Sequence, residues 1–231
     1  MRIKVVLDVK NMTLPANYYH MLQAIIYKNL PKDVATYLHD SDKFKGFNFS
    51  RLLGRSFVCT VKETNGKIVT FLDKATFYIS SDDQNLLLML ANNLEQRKYI
   101  MFGHYVAPIL SISEFYLPIE GNKIHCRTLS PVTIHTTEDG KTIYYNPLDN
   151  KFFDLLNANF SHKIDSVENN LLKFSDVKNI NKEISVYKHF VIEAYKFEFC
   201  LEGNIEDLER VLSFGLGDRN SQGYGMIEIV K

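Results

Sequence analysis

The chain is poor in cysteine. Cys59, Cys126 and Cys200 are odd in number and far apart. They read as reduced thiols in a cytoplasmic protein, not as a disulfide framework, and no pair has zinc-ligand spacing. Long apolar runs are missing too. The opening MRIKVVLDVK carries charges through its apolar residues, unlike a signal peptide. Nothing approaches the roughly 20 apolar residues of a membrane span, so no membrane partner is expected. Neither charge is in excess: 27 Lys and Arg face 27 Asp and Glu. That balance argues against a broad field for a polyanion and leaves local patches to meet any charged ligand. The balance hides a split, with 14 basic against 11 acidic residues in 1–120 (+3) and 13 against 16 in 121–231 (−3). No CxxC, HExxH or clustered carboxylates occur, so neither a metal nor a cofactor is expected. No P-loop lysine pattern, GxGxxG, low-complexity segment or flexible linker is present either.

What is present is enough apolar residue, 45% of 231 positions, for one large packed domain or two small ones. The pattern favours two copies of one unit. In RIKVVLDV, Ile3, Val5, Leu7 and Val9 alternate onto one face of a strand. LPANYYHMLQAIIYKNL follows as a helix opened by Pro15, with Tyr18, Leu22, Ile25, Ile26 and Leu30 as its apolar stripe, and a short helix over about 32–39 comes next. GFNFSRLL, SFVCTV, KIVTFL and KATFYI are strand-like. SSDDQNLLLMLANNL is a helix with Ser81 as cap, Asp82 and Asp83 in its first turn, and Leu86, Leu87, Leu90 and Leu94 inward; a strand covers about 100–118. The second half repeats this order. A strand at about 123–136 and a turn at Asp139-Gly140 precede a helix aligning Phe152, Leu155, Leu156 and Phe160. EAYKFEFCLEG alternates Tyr195, Phe197, Phe199 and Leu201. Then come a helix capped by Asn204 with Ile205, Leu208, Val211 and Leu212 inward, and the strand GMIEIV. Strand–helix–strands–helix–strand, twice, is an α+β chain of two tandem ferredoxin-like (βαββαβ) domains with antiparallel sheets, 1–120 and 121–231.

Two stretches could carry chemistry. FGLGDRNSQGYG at 214–225 holds four of only 11 glycines. A plain turn needs fewer. Such a loop is either a structural turn or a backbone that approaches a ligand, with Arg219 and Ser221 suited to phosphate oxygens. The second stretch is residues 25–54. Tyr27 falls with His20, Gln23 and Ala24 on the polar side of its helix, His39 ends the short helix, and Lys45 lies in the loop beyond. A tyrosine, a histidine and a lysine can together deprotonate a hydroxyl, steady phosphorane charge and protonate a leaving oxygen without metal. Taken singly, each also suits an ordinary surface or capping role.

With those residues in view, the chain resembles the CRISPR-associated repeat-processing endoribonucleases, the Cas six family of the RAMP superfamily. The resemblance runs along the whole chain: the first strand, LPANYYHMLQAIIYKNL, ATYLHD, FNFSRLLG, TLSPVTI and FGLGDRNSQGYGMIEI. The last is the most specific. The family's loop reads G-apolar-G, a polar run with Ser, then G-aromatic-G, as do Gly215-Leu216-Gly217, Ser221 and Gly223-Tyr224-Gly225. The resemblance implies an enzyme, a metal-independent endoribonuclease that cuts CRISPR repeat RNA. The 2′-hydroxyl attacks the scissile phosphate, leaving a 2′,3′-cyclic phosphate and a 5′-hydroxyl. It implies Tyr27, His39 and Lys45 as catalytic residues, with Lys43 as the alternative lysine. It implies RNA contacts from Gly215, Gly217, Arg219, Asn220, Ser221, Gly223 and Gly225. A homodimer and a CRISPR effector complex are open as partners. The alternative within the superfamily is a non-catalytic RNA-binding subunit; outside it, a tandem ferredoxin-like sensor of small molecules.

Overall fold

The structure, a computed structural model, describes residues 1–41, 44–62, 66–167, 171–187 and 190–230. It divides into two compact units, Met1–Lys45 with Ser50–Tyr116, and Gly46–Phe49 with Leu117–Lys231.

The first unit opens with β1 (Arg2–Asp8), β2 (Thr13–Pro15), α1 (Tyr19–Lys28) and α2 (Lys32–Asp40). Past β3 (Phe47–Phe49), which falls in the second unit, come β4 (Leu53–Thr60), β5 (Lys67–Ser81), α3 (Gln84–Arg97), β6 (Tyr99–Phe102) and β7 (Tyr105–Phe115). Alternation in β1 buries Ile3, Val5 and Leu7 completely. Val5 sits opposite Phe77 of β5 and Ile112 of β7, both antiparallel. The path β4-β5-β1-β7, with helices after β1 and after β5, is the ferredoxin-like order. Leu22 and Ile26 of α1 and Leu87, Leu90 and Leu94 of α3 are buried.

Several elements differ from the sequence expectation. Pro15 does not open α1; it ends β2, where Leu14 pairs with Val69 of β5. A strand end tolerates the missing N–H as well as a helix start does. KIVTFL and KATFYI form one 15-residue strand, β5. The cap of α3 is Asp83, whose carboxylate accepts from the Leu86 N–H at 3.1 Å, while Ser81 Oγ accepts from the Asp83 N–H. The strand placed at 100–118 is a hairpin, β6–β7, turned at Gly103, which has φ +63.

The second unit contains β8 (Lys123–Thr128), β9 (His135–Glu138), β10 (Lys141–Tyr144), α4 (Lys151–Lys163), β11 (Lys173–Tyr187), β12 (Phe190–Glu202), α5 (Ile205–Phe214), a 3₁₀ turn at Asn220–Gln222 and β13 (Ile227–Ile229). Its sheet runs β11-β12-β8-β13, antiparallel throughout, again ferredoxin-like. Phe152, Leu156 and Phe160 of α4 and Leu208, Val211 and Leu212 of α5 are buried, as are Phe197, Phe199 and Leu201 of β12. Ile205 is exposed at 51%, not inward, because it opens α5 before the helix meets the sheet. The strand expected over 123–136 stops at Thr128. β11 carried no sequence signal: its polar run is bulged twice, with Asp176 and Asn179 at φ +52 and +55. Among the described residues no helix is long and apolar enough to cross a membrane.

Candidate active site and glycine-rich loop

The first candidate site is made by the ends of two consecutive helices. Asn29 closes α1: its amide donates to the Ile25 carbonyl at 2.8 Å, and its own carbonyl accepts from Asn93 of α3 at 2.9 Å. Pro31 then starts α2, accepting the Ala35 N–H at 2.8 Å. This connection turns α2 back so that its last turn meets the last turn of α1. Tyr27 and His39 meet edge to face, with ring centroids 6.3 Å apart and planes at 81°. Tyr27 is half-buried and His39 exposed. His39 Nδ1 lies 2.9 Å from Asp40 Oδ1. With Nδ1–H donating to that carboxylate, Nε2 keeps its lone pair for a proton. Lys45 reaches the same end of α2, where its ammonium donates to the Ser41 carbonyl, next to the negative end of the helix dipole. Lys43 lies outside the described residues. The part of Asp40 in this arrangement was not anticipated, although it stands next to His39 in ATYLHD.

The second site is the glycine-rich loop between α5 and β13. Its glycines approach the protein's own backbone. A Cβ on Gly217 (φ +64) would stand 2.3 Å from the Thr133 carbonyl oxygen; one on Gly225 (φ +81) would stand 2.0 Å from that of Leu216. The loop closes on itself: the Leu216 N–H donates to the Gly225 carbonyl at 2.9 Å, and Gly225 donates to Pro131 at 2.9 Å. Asn220, expected among the RNA contacts, is buried, and its amide donates to the carbonyls of Leu216 (3.0 Å) and Tyr224 (3.1 Å). Gly215, Gly223 and Gly225 are buried as well. Arg219 (φ +58) and Ser221 are half-buried, as are Asp218 and Gln222 on either side of them. Arg219 Nη1 donates to Gln222 Oε1 at 3.2 Å, and its Nε has no partner among the described residues.

Sequence reasoning did not foresee what holds the loop from outside. The Asp218 N–H donates to Thr133 at 2.8 Å. The Asp218 carboxylate accepts from Asn159 Nδ2 at 2.9 Å and from the His135 N–H at 3.2 Å, and lies 2.6 Å from His135 Nδ1. Lys163 Nζ donates to the carbonyls of Gly215 (3.0 Å) and Gly217 (2.7 Å). Burial pushes the Lys163 ammonium down from 10.5 to about 7, against the opposing pull of Asp218. These contacts join residues some 50 to 80 positions apart, a separation that leaves no local pattern.

Comparison with known proteins agrees with this architecture. Residues 13–104 match the family model for the N-terminal part of CRISPR-associated protein Cas6, and residues 114–229 match that for its C-terminal part. The chain is 28% identical to the CRISPR-associated endoribonuclease Cas6 1 of Methanocaldococcus jannaschii, over 98% of this chain and 92% of that protein. It is 25% identical to the CRISPR-associated endoribonuclease Cas6 of Pyrococcus furiosus, over 94% and 83%. A solved structure described as CRISPR associated protein Cas6 superposes with a TM-score of 0.81 at 24% identity, covering 100% of this chain and 99% of the other. A Cas6-related structure from Pyrococcus furiosus reaches 0.83 at 20% identity, covering 100% and 98%. With both halves matched by the two models in their proper order, the chain belongs to the Cas6 family of CRISPR-associated proteins.

Proposed function

We propose that the protein is a metal-independent endoribonuclease of the cytoplasm that cuts within the repeats of CRISPR precursor transcripts to release guide RNAs. The observation that carries this reading is the edge-to-face contact of Tyr27 with His39 at the joined ends of α1 and α2, with Lys45 held at the same end of α2. The curated relatives, named endoribonucleases, align over nearly the whole chain.

The chemistry uses only side chains and the RNA's own hydroxyl. The 2′-oxygen attacks the adjacent phosphorus, forming the 2′,3′-cyclic phosphate as the bond to the 5′-oxygen breaks. His39 transfers a proton, as base toward the 2′-hydroxyl or as acid toward the leaving 5′-oxygen. Asp40 orients the ring. Tyr27 orients the 2′-hydroxyl or shares its proton, and Lys45 steadies the charge that builds on the phosphorane oxygens. Residues 1–120 thus carry the catalytic groups. Residues 121–231 carry the loop, whose Arg219 and Ser221 meet RNA phosphates. With zero net charge, affinity rests on these local groups and on base contacts more than on a broad field.

The test is cleavage of an end-labelled repeat RNA in EDTA by wild type and His39→Ala, beside a substrate with a single 2′-deoxy at the cut. Wild type cuts, the 2′-deoxy substrate survives, and His39→Ala binds RNA with cleavage reduced on the order of 10²–10⁴-fold. Tight binding without cleavage by wild type would make the protein a non-catalytic RNA-binding subunit. Cutting of the 2′-deoxy substrate would refute the mechanism.

A further inference from the structure

The end of α4 grips the glycine-rich loop at two levels. Asn159 and Lys163 stand one helical turn apart on α4 and therefore share a face. Asn159 takes the Asp218 side chain. Lys163 takes the carbonyls of Gly215 and Gly217, on either side of Leu216. One ammonium thus ties together the carbonyl of Gly215, the residue that closes α5, and that of Gly217 beyond it. Arg219 follows two residues after the second of these carbonyls and has a left-handed backbone, φ +58.

We propose that Lys163 is the positioning residue of the glycine-rich loop, a side-chain latch on two carbonyls that fixes the backbone from which Arg219 and Ser221 are presented to RNA. The part of this inference that concerns RNA rests on the function proposed above; the latch itself does not.

The latch is proton-linked. Its ammonium sits in a desolvated position with a pKa near 7. The charge that opposes this shift is the Asp218 carboxylate, from the loop, beside which His135 Nδ1 of β9 lies at 2.6 Å. At neutral pH the group is therefore divided between ammonium and amine. Because burial lowers the pKa below that of a solvated lysine, the amine occupies this position at a smaller desolvation cost than the ammonium does. A phosphate brought to the loop adds negative charge and favours the ammonium. RNA binding then takes up a proton, and affinity falls as pH rises through about 7.

The experiment has two readouts on the full-length protein. The first needs no RNA: hydrogen exchange of the segment 214–225, which holds the Leu216, Asp218 and Gly225 amides. Lys163→Met should speed exchange there by about tenfold, the scale of one lost charged hydrogen bond, and Lys163→Arg, whose fork can serve two carbonyls, should restore protection. The second is the dissociation constant for repeat RNA from pH 6 to 9 in wild type, Lys163→Met, Lys163→Arg, Arg219→Ala and the Lys163→Met/Arg219→Ala double variant. Lys163→Met should bind about tenfold more weakly at pH 6.5 and lose the pH dependence. Lys163→Arg should keep the affinity without the pH dependence, since its charge does not titrate. The double variant should lose less affinity than the two single losses added together, the remainder beyond Arg219→Ala being the presentation of Ser221. The same pH series in a His135→Gln background should keep its slope. Unchanged exchange in Lys163→Met would overturn the latch, as would additive losses in the double variant or a pH slope that disappears with His135 and not with Lys163. If wild type binds no repeat RNA, the proposed function fails, and hydrogen exchange alone still decides the role of Lys163.

Discussion

Replacing Gly217 by Ala separates two reasons for a glycine. Gly217 and Gly140 both have positive φ, +64 and +74. At Gly140 an added Cβ meets nothing within 4 Å, so Gly140→Ala costs the left-handed backbone alone, about 1 kcal/mol after the gain from a stiffer unfolded chain. At Gly217 the same Cβ would lie 2.3 Å from the Thr133 oxygen and 3.2 Å from Leu156 Cδ2. That oxygen must retreat by about 1 Å to reach ordinary contact distance. It accepts the Asp218 N–H at 2.8 Å, so this hydrogen bond goes too, and Leu156 is completely buried and cannot yield freely. Backbone strain, one hydrogen bond and overpacking together come to about 3–5 kcal/mol. At about 4 °C per kcal/mol for a domain of this size, Gly217→Ala should melt some 12–20 °C below wild type and Gly140→Ala about 4 °C below it. Differential scanning calorimetry without RNA measures both. Equal, small shifts would refute the internal packing and return Gly217 to a role felt only when RNA is bound.

Two further outcomes follow from single contacts. Asp83→Ala removes the carboxylate that caps α3 at the Leu86 N–H and should cost about 1 kcal/mol by urea denaturation, whereas Ser81→Ala should cost less; the reverse order would return the cap to Ser81. Stability should also carry the signature of Lys163. Its pKa is about 7 folded against 10.5 in the ordinary lysine, so between these values the unfolded chain holds a proton that the folded chain has released. The stability of wild type relative to Lys163→Met should therefore be lowest and flat below pH 7 and rise from pH 7 toward 10. Urea midpoints at pH 6, 7.5 and 9 check this, and a flat difference would mean that the ammonium stays charged when folded.

What was legible in the sequence was the part that local periodicity dictates. Alternation in RIKVVLDV and the stripe Leu22, Ile25 and Ile26 mark elements whose burial depends on their own spacing, and the structure buries each of these residues. A short helix over about 32–39 was also legible in the sequence, and α2 lies there; that His39 meets Tyr27 was implied only by the family resemblance, because the three-residue connection that folds α2 back along α1 leaves no periodic pattern. Where local signals misled, a longer-range contact had outweighed them. Pro15 suits a helix start, but β5 runs far enough to offer Leu14 a strand partner. β11 is polar and twice bulged, yet it pairs with β12 along nearly its whole length because a hairpin needs only its partner's ladder.

The glycine-rich loop shows why a motif can be recognised before its physics is. Its spacing marks a backbone that something approaches closely, and composition alone does not name the approaching group. Thr133 and Leu216 are that group at Gly217 and Gly225, so the glycines form the loop before any RNA reaches it. On the proposed function, this shifts RNA recognition onto the few polar groups the packed loop exposes. A loop made rigid by its own backbone can present Arg219 in one direction without an entropic cost at binding, whereas a flexible glycine tract would have to be ordered by the RNA. The rigidity depends in turn on residues outside the motif, Asn159 and Lys163 on α4 and His135 on β9. Substituting one of these leaves all four glycines, Arg219 and Ser221 in place. If the loop recognises RNA through a fixed backbone, such a substitution must still weaken binding, and one that loosens the loop without changing affinity would show that Arg219 acts as a mobile charge.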